Sequence, residues 1–203
     1  MSNHYYDQDP QSPHNIERWS YDLRGKHFFF VTDSGVFSKE RVDYGSRVLI
    51  DNFSWEDLPQ GNFLEIGCGY GPIGLALAYA SGRRIEMVDI NQRALDLAEH
   101  NAKENHISQV DIHFSDVYQS VYENSYAAII SNPPVRAGKK VVHQILIEAF
   151  DLLKENGTLT IVLQKKQGAP SAKKQMAETF GNAEIIKKDK GYYIIQSKKE
   201  GNS

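Results

Sequence analysis

Apolar residues in this chain fall into short dense runs, and the stretches between them carry apolar positions at helical spacing. Phe63–Ile66, Ile85–Val88, Val110–Phe114, Ala127–Ile130 and Leu159–Leu163 have the length and composition of buried strands. Between and after them the spacing predicts helices over Pro72–Ala80, Asn91–Asn105, Lys139–Glu155 and near Ser171–Phe180. In the third, Val142, Ile145, Leu146, Ala149 and Leu153 recur on one face, and Asn156-Gly157 is expected to end it. Ala183–Lys187 and Tyr192–Gln196, joined by the Asp189-Lys190-Gly191 turn, read as a closing antiparallel hairpin. Strands alternating with helices, each strand apolar throughout, imply a mostly parallel sheet covered on both faces. The fold class is α/β.

The first 60 residues read differently. Residues 1–20 are polar, with Pro10 and Pro13 and no periodicity, and read as a loosely held arm. His27–Val31 is strand-like, and the turn signal Thr32-Asp33-Ser34-Gly35 precedes Val36-Phe37, so a small hairpin is expected there. Asp43 is placed to N-cap a short helix over about Tyr44–Phe53, and Pro59-Gln60-Gly61 breaks the chain before the main fold. The expected organisation is an arm over 1–20, an extension over 21–60 that packs on the ligand site, and a main domain over 61–203.

Composition narrows the function classes. The 203 residues are 40% hydrophobic and 24% charged, too apolar for a disordered chain. One cysteine, Cys68, forbids an internal disulfide, and the seven histidines are scattered, so no metal site is expected. The N-terminus lacks a basic start and an apolar run, and no stretch is long enough to span a membrane; the expected address is the cytoplasm. The net charge of −3 hides an asymmetry, since residues 139–203 carry 12 basic and 7 acidic side chains. Such a basic last third fits either a nucleic-acid footprint or solvated helix faces.

The candidate chemistry lies at strand ends. Leu64-Glu65-Ile66-Gly67-Cys68-Gly69-Tyr70-Gly71-Pro72-Ile73-Gly74 falls where the first strand of the main domain meets its helix, where glycines let backbone pass close under a ligand. Gly69, Gly71 and Gly74 satisfy the dinucleotide fingerprint, with Asp89 near the expected ribose acid. Three features oppose a nicotinamide dehydrogenase. Glu65 would meet an ammonium sooner than a pyrophosphate, the glycine run begins two residues early, and some 60 residues precede the strand. At the end of the fourth strand, Asn132-Pro133-Pro134-Val135 would hold Asn132 rigidly at the edge where open α/β sheets bind ligands, although Asn-Pro is also an ordinary turn signal.

The run Glu65-x-Gly67-x-Gly69-x-Gly71, Asp89 in Met87-Val88-Asp89-Ile90-Asn91 and Asp116 in Phe114-Ser115-Asp116-Val117 together resemble the class I S-adenosylmethionine-dependent methyltransferases. The resemblance implies a Rossmann-like, mostly parallel sheet of seven strands with an antiparallel final hairpin, plus the small N-terminal hairpin and helix. It also implies S-adenosyl-L-methionine as cofactor, with Glu65 near the methionine amine, Asp89 and Ile90 at the ribose, Asp116 and Val117 at the adenine, and Gly67, Cys68, Gly69 and Gly71 beneath it.

Tetrads of the Asn-Pro-Pro-aromatic type belong to methyltransferases of planar, conjugated nitrogens, whose lone pair is delocalised and attacks poorly. The resemblance implies that the Asn132 side-chain oxygen and the Pro133 carbonyl accept the target N–H hydrogens, with Pro134 stiffening the loop, so that the lone pair turns toward the methyl carbon. Val135 departs from the aromatic fourth position; Arg136 or Phe37 is then the candidate stacking partner.

Thr32–Ser38, Val42–Ser46, Ser131–Gly138 and Gln164–Ser171 further resemble the small-domain methyltransferases of the ribosomal guanine-N2 (RsmC-type) group, over roughly residues 20–197. This implies methylation of a guanine exocyclic amine in 16S ribosomal RNA, with the RNA or the small subunit as partner. It also brings Asp43, Gly45 and Ser46 close to the cofactor's methionine end. Lys139, Lys140, Lys165 and Lys166 are expected near the phosphates. The longer ribosomal enzymes carry an extra N-terminal domain; here the 1–30 arm, the basic last third or a second copy in a homodimer is expected to stand in for it. The competing readings are a protein-glutamine or DNA-adenine methyltransferase, a nicotinamide dehydrogenase, and a non-catalytic RNA-binding relic.

Overall fold

A computed structural model describes residues 15–33 and 42–201. Nine strands and five helices are assigned among them. Strands β1 (Ile16–Leu23) and β2 (Lys26–Asp33) pair antiparallel as a separate hairpin. The remaining strands are β3 (Phe63–Ile66), β4 (Ile85–Asp89), β5 (Val110–Phe114), β6 (Tyr126–Ser131), β7 (Leu153–Gln164), β8 (Glu184–Asp189) and β9 (Tyr192–Lys198). They form one sheet in the order β5-β4-β3-β6-β7-β9-β8, in which only β9 runs antiparallel to its neighbours. The helices are α1 (Tyr44–Asn52), α2 (Pro72–Ser81), α3 (Gln92–Glu104), α4 (Lys139–Leu152) and α5 (Ala169–Phe180).

The pattern of burial explains the layering. Every residue of β3 and β6 is buried, as expected of central parallel strands covered on both faces. Phe63 points into a core shared with the hairpin, α1, α2 and α3, while Leu64 and Ile66 join the opposite core under α4 and α5. By the same alternation Glu65 lies on the Phe63 face, under α2. Adjacent β3 and β6 send their following loops to opposite faces, which makes their carboxyl ends the switch point where such sheets bind ligands.

Two expectations are corrected. The partner of His27–Val31 lies upstream: Ile16–Leu23 pairs with it through an Arg24-Gly25 turn, both residues in the left-handed region (φ 52° and 79°) that suits a two-residue hairpin. Trp19, Tyr21 and Leu23 pack against the first core, so an alternation begins inside the segment read as an arm and runs on into the extension. The predicted turn Thr32–Gly35 falls partly in β2, and Val36 and Phe37 lie outside the described residues. Helix α4 ends at Leu152, three residues before Glu155, because Leu153 enters β7 opposite Tyr126. Asn156 (φ 65°) and Gly157 instead form a bend within β7, where a Gly157 Cβ would meet three backbone carbonyls at 2.9–3.1 Å.

The hairpin is fastened to the main sheet from two sides. Asn101 of α3 and Asn105, its C-cap, act as a substitute strand along the hairpin's edge. The Asn101 amide accepts from Val31 N (2.8 Å) and donates to Val31 O (3.0 Å) and Tyr70 O (2.9 Å). Asn105 repeats the pattern on Phe29, at 2.8 and 2.7 Å. At the other end Arg24 donates through Nε to Ile50 O (2.7 Å) and through its guanidinium to Phe53 O, capping the last turn of α1. Phe28 and Phe30, fully buried beneath, each stabilise the contact by about 1.5–3 kcal/mol.

Candidate active site at the carboxyl edge of the sheet

The glycine loop leaves β3 as a tight bend over the end of β4. Gly67 N and Cys68 N both donate to Val88 O (2.9 and 3.0 Å), and Gly71 N donates to Cys68 O (3.0 Å). Gly67, Gly69 and Gly71 have φ of 75°, 57° and 103°, values open to glycine at little cost. Gly74 is required by space, since a Cβ there would stand 2.5 Å from Glu65 Oε2 and 2.6 Å from Met87 Sδ. Asp89 ties the loop down, accepting from Gly69 N through Oδ2 and from Asn91 N through Oδ1, both at 2.9 Å. Asn91 caps α3, its side chain accepting from Ala94 N (3.2 Å).

Both carboxylates of this loop are electrostatically uneasy. Burial pushes the Glu65 carboxyl well above its ordinary range, the nearby Gly74 amide opposes that, and the Asp89 charge adds to it. Glu65 Oε2 is buried without a hydrogen-bond partner. Burial also raises Asp89, against the pull of the Asn91, Gly69 and Ile90 amides. Cys68 is buried and its thiol pushed well up, first by burial and then by these two acids, so it is no nucleophile at neutral pH. A cation placed over the loop would relieve both acids.

Beside the loop runs a cleft lined by Gly67, Asp89, Ile90, Asp116, Val117 and Pro134, together with Ile66, Val88, Ser115, Val141 and Ile145. It combines apolar walls with two acids, the lining chemistry that a flat heterocycle carrying a diol would meet. Val117 is a β-branched residue at φ 51°, a conformation costing on the order of 1–3 kcal/mol. Ser115 holds it there, donating from Oγ to Val117 O (2.8 Å) and accepting from Ser120 N (3.0 Å). Sequence reasoning missed Ser115, Val141 and Ile145 as lining residues. Ile145 reads as ordinary core on the apolar face of α4, and Val141 and Ser115 have no spacing signal.

At the end of β6, Ser131 Oγ donates to Ile66 O (2.8 Å), locking the two loop-bearing strands together. Asn132 follows, and its Nδ2 donates to Ser46 Oγ (3.0 Å) and to both carboxylate oxygens of Asp43 (3.3 Å each). A carboxylate can only accept, so the amide group must face Asp43 with its nitrogen, and Oδ1 takes no partner among the described residues. Asp43 is also the N-cap of α1, accepting from Ser46 N (2.9 Å) and Ser46 Oγ (2.8 Å). Asp43 and Ser46 therefore meet the tetrad directly. Pro133 is buried, and Pro134 stands beside Gly67, whose Cβ would lie 3.8 Å from its Cδ. Val135 opens a short 3-10 turn and packs against the α4 core, while Arg136 is exposed.

The predicted lysines are not gathered in one place. Lys139 and Lys140 are exposed at the start of α4, and Lys165 and Lys166 sit in a 3-10 turn after β7. Phe37 lies outside the described residues. Tyr192 was not anticipated. Its ring fills the space over Gly45, where a Cβ would come within 2.8 Å of it, and no local spacing links residues so far apart in sequence. Among the described residues no group of His, Cys, Asp and Glu is placed to hold a metal ion, and no helix is long and apolar enough to cross a membrane.

A sheet of this order, with a glycine loop at its switch point and acids closing the next two strands, is that of the class I S-adenosyl-L-methionine-dependent methyltransferases, and S-adenosyl-L-methionine is its cofactor. The family model for the methyltransferase small domain matches residues 27–196, and the chain belongs to that family. Among its relatives is a Bacillus subtilis (strain 168) protein, "Uncharacterized protein YbxB", 50% identical over 201 residues that cover 98% of this chain and 100% of that one. The "Ribosomal RNA small subunit methyltransferase C" of Aeromonas hydrophila is 36% identical over 172 residues, covering 81% of this chain and 47% of that protein. The chain thus spans about half the length of that relative. The solved T. thermophilus 16S rRNA N2 methyltransferase (RsmC), in complex with AdoMet and guanosine, superposes with a TM-score of 0.82 at 22% identity over 94% of this chain and 52% of that one, which establishes the shared fold.

Proposed function

We propose that this chain methylates the exocyclic N2 amine of a guanine in small-subunit (16S) ribosomal RNA, in the cytoplasm. The observation that carries the reading is the orientation of Asn132. Its amide nitrogen is consumed by Asp43 and Ser46, and its oxygen takes no partner among the described residues. An acceptor so fixed meets an amine hydrogen without reorganising, and its bond strengthens as the nitrogen gives up conjugation. The Pro133 carbonyl is the second acceptor in this reading. Deprotonation by a strong base is not required, because orientation of the lone pair is what these groups supply.

Bound S-adenosyl-L-methionine supplies a methyl carbon made electrophilic by its sulfonium. Gly67, Cys68, Gly69 and Gly71 let the backbone pass beneath it, Asp89 and Ile90 take the ribose, and Asp116 and Val117 take the adenine. Asp89 is held at the end of β4 by backbone amides, and its remaining acceptor capacity meets the ribose hydroxyls. Glu65 acts through charge from below the loop, where a cationic ligand compensates a carboxylate that burial alone disfavours. Arg136, Lys139, Lys165 and Lys166 face the RNA, and Val135 borders the target base. The curated relatives named for ribosomal RNA small-subunit methylation support the substrate class. Val135, packed into the α4 core, supplies no ring for the stacking that the glutamine and adenine enzymes derive from an aromatic there.

The test offers tritiated cofactor with 16S rRNA, intact small subunits, duplex DNA and peptide release factors in parallel, followed by nucleoside analysis. Label in N2-methylguanosine is expected; label in protein or in N6-methyladenine would replace the reading with the corresponding alternative.

A further inference from the structure

We propose that the basin between the end of β7 and the β8–β9 turn seats the nucleotide next to the methylated one, with Lys165, Lys166 and Lys190 on its phosphate. The inference rests on the RNA reading above and adds a second binding site to it. The basin holds about 420 Å³ and is lined by Gln164, Lys165, Lys166, Pro170, Lys190 and Gly191. Three lysines from two separate segments thus converge on one volume, and none of the three has an ion pair among the described residues. The nearest carboxylate on the turn, Asp189, is engaged by Tyr44 Oη at 2.9 Å. Gathered like charges repel one another, and a phosphate between them removes that cost.

The basin is a fixed construction. Lys165 N donates to Gly191 O (2.8 Å), fastening the turn after β7 to the β8–β9 hairpin. Lys190 and Gly191 adopt φ of 47° and 82°, and the Lys190 ammonium lies over the Tyr44 ring at 5.0 Å. Aromatic surface adjoins the charges. The Tyr44 and Tyr192 rings are 5.7 Å apart, and Tyr192 Oη accepts from Gln164 Nε2 (2.6 Å), which leaves its own proton to donate elsewhere. Rings beside cations match a base with its phosphate, whereas an acidic peptide would need only the charge.

Its position argues for a neighbouring nucleotide and against the reacting one. Asn132 and Gln164 both follow the carboxyl ends of the paired parallel strands β6 and β7, and Tyr192, bonded to Gln164, rests on Gly45, two residues after the Asp43 that holds Asn132. A strand whose guanine is presented to Asn132 would continue along this edge of the sheet toward the lysines.

The test measures binding of guanosine, of guanosine-centred and adenosine-centred RNA trinucleotides and of a hexaglutamate peptide in the presence of S-adenosylhomocysteine. Wild-type protein is expected to bind the guanosine-centred trinucleotide at least tenfold more tightly than guanosine. The double variant Lys165→Ala/Lys190→Ala should lose most of that advantage, and its salt dependence should flatten by about 0.7 log unit per log salt for each phosphate contact removed. Its affinity for guanosine and for S-adenosylhomocysteine should stay unchanged. A double variant that keeps the tenfold advantage overturns the seat, and so does a peptide that competes as well as the trinucleotide. Lysine-dependent trinucleotide binding without any guanosine preference would leave the seat standing and remove the guanine reading instead.

Discussion

The amide nitrogen of Asn132 and the carboxylate of Asp43 meet at 3.3 Å although 89 positions separate them in the chain. One acid thereby serves two elements: it caps α1 and dictates which way the Asn132 amide faces. Asp43→Asn separates the two duties. Asparagine caps a helix about as well as aspartate, so stability should change by less than about 0.5 kcal/mol. Its own amide can present either end to Asn132, so the orientation is no longer imposed. Turnover should fall by roughly tenfold, about 1.4 kcal/mol in the barrier, with cofactor affinity retained. Paired thermal melts, cofactor titrations and turnover measurements separate these effects.

Asn132→Asp gives a sharper contrast with Asn132→Ala. A carboxylate at this position would face the Asp43 carboxylate with no proton to donate, so the loop should be pushed out of place as well as chemically altered. The expected outcome is turnover no better than the alanine variant and a lower melting temperature than either wild type or Asn132→Ala.

Glu65 carries a pH signature. Its carboxyl is raised by burial, so between its ordinary value and the raised one the folded state holds a proton that the unfolded chain has released. Stability of the ligand-free protein therefore falls as pH rises through that window, and Asp89 adds to the trend in the same direction. Glu65→Gln should flatten the profile and raise the neutral-pH melting temperature, by about 2–4 °C for each kcal/mol of relief. The same variant should gain less melting temperature than wild type from saturating S-adenosyl-L-methionine. A ligand-free wild-type protein whose stability rises steadily from about pH 5 to pH 8 would contradict this account.

Asp89→Ala removes a carboxylate that holds Gly69 and Asn91 before any ligand arrives. Cofactor binding should weaken by roughly 1–3 kcal/mol, the range for hydrogen bonds to a charged group. Calorimetry reads the loss directly, and near-wild-type affinity would remove Asp89 from the ribose.

Asn101→Ala tests the fastening of the hairpin. The side chain is fully buried and makes bonds to Val31 and Tyr70 backbone that water cannot replace. Each orphaned buried group costs about 1–3 kcal/mol, so a loss of several kcal/mol is expected. Hydrogen exchange should show the Val31 amide opening first.

Much of this was legible because it is local. Strand-helix alternation, the glycine loop, the Asp43 cap and the acids after β4 and β5 are all written within a few residues of each other. Asn156-Gly157 misled because its left-handed preference marks a bend in a strand as readily as a helix end, and Leu153 was decided by pairing with Tyr126. Asn101 read as an ordinary polar helix position, since the Val31 edge that it covers lies 70 residues away. Tyr192 over Gly45 had no signal of any kind before the hairpin was placed against α1.

The central claim is that Asn132 orients the target nitrogen without holding the cofactor. Single-turnover methylation of 16S rRNA or intact small subunits, with cofactor affinity measured on the same preparations, compares wild type with Asn132→Ala most directly. The account predicts a rate lower by about 10²-fold or more, the loss of one oriented group at a reacting centre, with the cofactor dissociation constant within about twofold of wild type. A variant that methylates guanine N2 at the wild-type rate would reduce the tetrad to a turn and contradict the account.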